Sequence, residues 1–157
     1  MGQQPLTFDT PGILASQQNR YPLLFVDKII EAVPGVSAVG VKNFTYNEWF
    51  FPAHYEDDPN VPGFILVECL VQTFIMTFLS KDEYKGSKTN FLDLDGVRFR
   101  RKVVPGDTLI INATLESFRR GIAKGVAEGT VNGEFAVSAR FTVSVPSVFE
   151  KFIPNKK

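Results

Sequence analysis

The chain has 157 residues, 44% of them apolar and 22% charged, the size and composition of one soluble globular domain (1–157) with a substantial core. Its 17 Lys and Arg balance 17 Asp and Glu, so overall charge gives no reason to expect a nucleic-acid or membrane-surface protein. The single Cys69 excludes an internal disulfide framework and suits a reducing compartment. No signal peptide is expected, and the expected location is the cytoplasm.

In chain order, Met1 to Gln4 read as a frayed end, as do Pro154 to Lys157. Thr10-Pro11 reads as an N-cap followed by proline at the first helical position, which predicts a short helix to about Gln18. Leu24 to Ala32 and Ser37 to Thr45 are strand-like, joined by a turn at Pro34-Gly35. Asn47 to Phe51 is expected to form a helical turn, and Pro52 to Gly63 reads as irregular. Phe64 to Leu79 is predicted as a helix that is apolar on nearly every face, and such a helix is buried on all sides. It is too short and too polar to span a membrane. Strands follow at 89–103, 108–118, 122–131 and 134–145. Asn132-Gly133, between two alternating runs, is a strong hairpin signal.

These elements amount to one long buried helix and about six strands, mostly in antiparallel hairpins. A single sheet hides such a helix only by curling around it, which is α+β with helix and strands segregated. The core is expected over about 13–145. An open sheet leaves edges, which favour pairing into dimers.

Three features carry chemistry. His54 is the only histidine and the one side chain whose unperturbed pKa lies near neutrality. It sits in a proline-rich loop, where functional groups are often carried. Glu68 lies among Phe64, Ile65, Leu66, Val67, Leu70 and Val71, and a carboxylate in such surroundings must be paired or protonated. Gln72 is four residues on and shares its face. Pro62-Gly63 opens the helix, where free N–H groups favour developing negative charge. Each feature has an ordinary structural reading. None is specific alone.

Their spacing is distinctive. The chain reads His54, then Pro62-Gly63, then Glu68 fourteen residues after the histidine, then Gln72. Upstream stands Arg20-Tyr21-Pro22-Leu23-Leu24-Phe25-Val26-Asp27. Downstream stands the block Val97 to Asp107, which ends in Pro105-Gly106-Asp107. With these three blocks in order, roughly Ile13 to Val145 resembles the 3-hydroxyacyl-acyl-carrier-protein dehydratases of fatty-acid synthesis. The resemblance implies the hot-dog fold, a curved antiparallel sheet around a central helix.

It also implies an activity: loss of water from a 3-hydroxyacyl thioester to give the trans-2-enoyl thioester, with no metal or other cofactor. By the same resemblance His54 and Glu68 are catalytic, from opposite subunits of a homodimer that in some family members assembles further into a trimer of dimers. Gly63, Phe64 and Gln72 would bind substrate. Acyl carrier protein is the implied partner, docking on Arg98, Arg100, Arg101 and Lys102, or on Arg119, Arg120 and Lys124. Glu rather than Asp at position 68 is similar to the branch that does not isomerise the double bond.

The sequence departs from the family in two places. Ala53, Tyr55 and the acids Glu56, Asp57 and Asp58 surround His54, and neighbouring acids favour the imidazolium. Val71, Phe74 and Phe78 make the central helix bulky; their default reading is ordinary core, and the alternative is a narrowed or re-routed acyl tunnel in a paralogue with its own acyl-chain preference. Two other readings stand beside the dehydratase: a hot-dog acyl thioesterase, and a non-catalytic subunit that binds acyl carrier protein.

Overall fold

The computed structural model describes residues 4–154; the frayed-end reading of 1–3 and 155–157 lies outside them. The first element is a short strand, β1 (Leu6–Phe8), and then α1 (Thr10–Ser16). Asp9, not Thr10, caps this helix: its carboxylate accepts the Gly12 N–H at 2.9 Å. The Thr10 hydroxyl instead donates to Asp27 O.

β2 (Lys28–Val33) and β3 (Ser37–Asn43) form the expected hairpin, with Gly35 at φ +82° in its turn. The strand predicted from Leu24 begins only at Lys28. The backbone of Leu23 and Phe25 is bonded to a side chain, that of Gln72, instead of to a neighbouring strand. α2 (Phe50–His54) lies three residues later than expected, anchored by the buried rings of Phe50 and Phe51.

The long helix is α3 (Gly63–Leu79), and all its residues from Ile65 onward except Glu68 are buried. β4 (Asn90–Phe99), β5 (Thr108–Arg119), β6 (Ile122–Val131) and β7 (Glu134–Ser144) follow. The predicted last turn holds: Asn132 and Gly133 take φ values of +50° and +78°, as a two-residue hairpin turn of this kind requires. β4 is shorter than the predicted 89–103. After Phe99 the chain leaves the ladder, and the Val103 carbonyl accepts the Val61 N–H at 2.8 Å. A short α4 (Pro146–Phe149) and a single 3-10 turn complete the described chain.

All strands form one antiparallel sheet in the order β1-β2-β3-β5-β6-β7-β4. There are seven strands, not about six, because the unpredicted β1 adds to the edge beside β2. α3 lies against β2, β3, β5, β6 and β7. Phe74 stacks on Phe141, and Phe78 packs against Phe118. The helix approaches the sheet closely at Gly40, where an added Cβ would lie 2.3 Å from Thr73 Oγ1.

β4 does not reach over α3 in this way. It is an edge strand paired only with β7, and Phe91, Leu92, Leu94 and Phe99 are each about half exposed along it.

The Gly40 contact makes a direct test. Gly40→Val forces methyls into Thr73 and is expected to lower stability by about 1–3 kcal/mol through overpacking. Urea denaturation reads this, and an unchanged midpoint would contradict the close approach.

Candidate active site

The side of α3 that faces β4 carries Phe64, Glu68, Val71 and Ile75 at helical spacing. Two adjoining cavities open along it. The larger, about 750 Å³, is lined by Phe64, Val67, Phe25, Leu92, Leu94 and Phe99 among others. The smaller, about 470 Å³, runs past Val71, Gln72 and Ile75 to Val143, with Arg20 and Lys88 also on its wall. Asn19, Leu23, Glu68 and Phe91 line both. Glu68 therefore stands where the two meet.

Glu68 is partly buried, and its Oε1 accepts from Gln72 Nε2 at 2.8 Å and from Asn19 Nδ2 at 3.4 Å. Gln72 is fully buried, and its amide is already engaged. Its Oε1 accepts the Phe25 N–H at 2.7 Å, and its Nε2 donates to Leu23 O at 2.7 Å as well as to Glu68. The Phe25 N–H can only donate, so it fixes which end of the amide faces it. The Gln72 NH₂ is left pointing at Glu68. Gln72, expected to bind substrate, is on the wall of the smaller cavity, and its amide is bonded to Glu68 and to the 23–25 segment.

Gly63 is the first residue of α3, behind Pro62, and no side chain caps this end. Ile65 and Leu66 both donate to Pro62 O, which leaves the Gly63 and Phe64 N–H groups at the mouth of the helix dipole. A Cβ on Gly63 would lie 2.9 Å from the Phe99 ring, so glycine lets β4 rest against the helix start. Phe64 is 68% exposed, on the wall of the larger cavity.

His54 ends α2. An ion pair whose lysine is buried helps to hold the approach to this helix: Lys42 Nζ lies 2.7 Å from Glu48 and 3.8 Å from Asp27, both partly exposed. His54 Nδ1 lies 3.0 Å from Asn60 O. A carbonyl only accepts, so Nδ1 carries the hydrogen, and in the neutral ring Nε2 keeps its lone pair. The ring also packs on Tyr55 at 4.3 Å between centroids. The three acids near His54 do not reach it: among the described residues no carboxylate forms an ion pair with His54, and Asp58 pairs with Lys102. Within one chain His54 and Glu68 are not brought together, because His54 lines neither Glu68 cavity.

The basic candidates do not form one patch. Arg101 pairs with Glu134 at 2.7 Å, and Lys102 with Asp58. Arg98 lines a groove on the outer face of the sheet. Arg100 and Lys102 flank a cavity of about 330 Å³ beside Asn60, Gly63 and Phe99. In the alternative cluster, Arg120 lies over the Phe152 ring. Burial pushes the Cys69 thiol up, which removes it as a nucleophile. Asn19 went unnoticed in the sequence: no periodicity or motif marks a lone Asn between two elements.

A FabA-like domain model matches residues 18–140. The chain is 39% identical over 143 residues to the 3-hydroxyacyl-[acyl-carrier-protein] dehydratase FabZ of Polynucleobacter asymbioticus, covering 91% of this chain and 96% of that protein. It is 44% identical over 133 residues to the enzyme of the same name from Chloroflexus aggregans, covering 85% and 92%. The chain belongs to the FabZ-type dehydratase family. Among solved structures, the dehydratase heterocomplex ApeI:P from Xenorhabdus doucetiae superposes with a TM-score of 0.74 at 16% identity, over 92% of this chain and 97% of that one. An uncharacterized protein from Pyrococcus horikoshii gives 0.65 at 14%, over 83% and 91%. These two likenesses concern the hot-dog fold.

Gln72→Leu keeps the volume but strands the Phe25 N–H and the Leu23 carbonyl. It is expected to cost about 1–3 kcal/mol of stability and to lower turnover at the same time. A variant as stable as the wild type in urea would show that the amide does not hold this segment.

Proposed function

We propose that this protein dehydrates 3-hydroxyacyl thioesters carried by acyl carrier protein, giving the trans-2-enoyl thioester of fatty-acid biosynthesis. The observation that carries this is Glu68: one carboxyl held by two carboxamides at the junction of two apolar-walled cavities. Membership of the FabZ-type family supports it.

In this reading the acyl chain lies along α3. Neutral His54 takes a proton from C2 through Nε2. The C2–H electron pair becomes the C2–C3 π bond as the C3–O bond breaks. Protonated Glu68 gives its proton to the departing hydroxyl, which leaves as water. The Gly63 N–H, with the start of α3 behind it, polarises the thioester carbonyl and so acidifies C2. Phe64 presents its ring to the acyl chain. The elimination moves one proton onto His54 and one off Glu68; the site resets when His54 gives up its proton and Glu68 takes one up, by direct transfer or through solvent.

Because one chain separates His54 from Glu68, the reading places the reaction in a homodimer, His54 from one subunit facing Glu68 of the other. The half-exposed apolar residues of the β4 edge are of the kind a second copy covers. Arg98, Arg100, Arg101 and Lys102 supply positive charge on the β4 side of the molecule for the acidic carrier, with Arg98 and Arg100 free of ion pairs among the described residues. No helix among the described residues is long and apolar enough to cross a membrane. We place the reaction in the cytoplasm, where a free, buried Cys69 stays reduced.

Two outcomes check the chemistry. Hydration of crotonyl thioester should fall by about 10²–10⁴-fold in both His54→Ala and Glu68→Gln, the span of a lost general acid or base. Wild-type rates in either variant would sink the assignment, and release of free thiol with unchanged enoyl absorbance would identify a thioesterase instead. A third concerns chain length. Of the three bulky helix residues, Phe74 and Phe78 are buried in the core and Val71 alone lines a cavity that Glu68 also lines. Val71→Ala should raise turnover of longer acyl chains relative to short ones; an unchanged length profile would show that the acyl tail does not run past Val71.

A further inference from the structure

The structure assigns Asn19 as a positioning residue for Glu68: its side-chain amide shares Glu68 Oε1 with Gln72 and so leaves Oε2 as the oxygen that delivers the proton. This rests on the reading of Glu68 as the acid and deepens it.

The argument begins with donors and acceptors. Both bonds to the carboxyl end on the same oxygen: Gln72 Nε2 at 2.8 Å and Asn19 Nδ2 at 3.4 Å reach Oε1. Among the described residues, no group donates to Oε2. A carboxyl oxygen that accepts two N–H bonds has little capacity left to carry a proton. The proton of the neutral acid is therefore directed to Oε2.

One donor alone does not hold the carboxyl plane, because the terminal torsion of a glutamate is broad and soft. Gln72 lies on the same helix as Glu68 and fixes one direction. Asn19 approaches from the loop after α1 and supplies a second. The two together restrict rotation about that torsion, with the free oxygen toward the cavity junction.

The placement of Asn19 is itself built. Its own carbonyl accepts from Arg20 Nη1 at 2.8 Å, and the same guanidinium reaches Gln17 O and Leu14 O. On the other side Gln18 Nε2 donates to Gly86 O at 2.7 Å. The residues on both sides of Asn19 thus spend their side chains on tying down the backbone, while the Asn19 side chain lines both cavities next to Glu68. At 3.4 Å its bond is longer than the usual N–H···O range and weaker than that of Gln72. Its loss should be felt as a modest effect on rate.

Three variants and one control test this with crotonyl thioester hydration and thermal denaturation. Asn19→Ala removes the donor and is expected to lower kcat on the order of three- to tenfold with KM and Tm unchanged. Asn19→Asp keeps the shape, removes the donor and adds a like charge, so it should lose more than Asn19→Ala. Asn19→Gln keeps an amide donor and should recover most of the wild-type kcat. Wild-type kcat in both Asn19→Ala and Asn19→Asp would overturn the assignment. So would a rise in KM alone, which would make Asn19 a substrate contact, or an equal loss of kcat and Tm in all three variants, which would make it structural. Glu68→Gln is the control: if it turns over at the wild-type rate, the reading of Glu68 fails first, whereas an inactive Glu68→Gln with wild-type Asn19 variants leaves that reading intact and removes only Asn19.

Discussion

A helix that is apolar on nearly every face has to be covered on every face, and a single chain of this length has only one sheet with which to do it. The sheet meets that demand by packing β2, β3, β5, β6 and β7 against α3, with Gly40 permitting a close contact at Thr73. The cover is incomplete on the side where β4 forms the sheet edge. There the helix shows Phe64, Glu68 and Val71 to open cavities rather than to packed side chains. The gap in the cover and the candidate site are the same place.

That gap also explains how a carboxyl persists on an apolar helix. Glu68 is not isolated in hydrocarbon. It borders the cavity on one side and accepts from two amides on the other. The polarity of this contact is set from a distance: the Phe25 N–H fixes the Gln72 amide, and the amide fixes the donor that Glu68 meets. The same residue therefore joins fold and chemistry. Gln72 holds the 23–25 segment that forms part of the cavity wall, and it aims the group that would act there.

His54 is held by different means. Phe50 and Phe51 bury one side of its short helix, and Asn60 O fixes the tautomer. Nothing in that arrangement directs the ring toward Glu68 of the same chain, although only fourteen positions separate them in sequence. Two well-ordered half-sites in one chain are the form expected when a second copy completes them, and the apolar β4 edge is the surface that would bring it.

The amino-acid sequence by itself determined the elements whose signals are local. The apolar run from Phe64 to Leu79, the Asn132-Gly133 turn and the alternation of the last three strands all hold within about two residues, because period and turn chemistry are properties of neighbours along the chain. The spacing of His54, Gly63, Glu68 and Gln72 was likewise legible and led to the family. Tertiary structure decided what depends on partners distant in sequence. The backbone of Leu23 and Phe25 went to the Gln72 amide, and the strand expected from Leu24 began only at Lys28. β4 ended at Phe99, and the chain turned to Val61. Arg101 and Lys102 were drawn to Glu134 and Asp58. Asn19 acquired meaning only through a contact 49 residues away. Composition and periodicity report which residues want burial; which donor meets which acceptor is settled only when the folded chain brings them together.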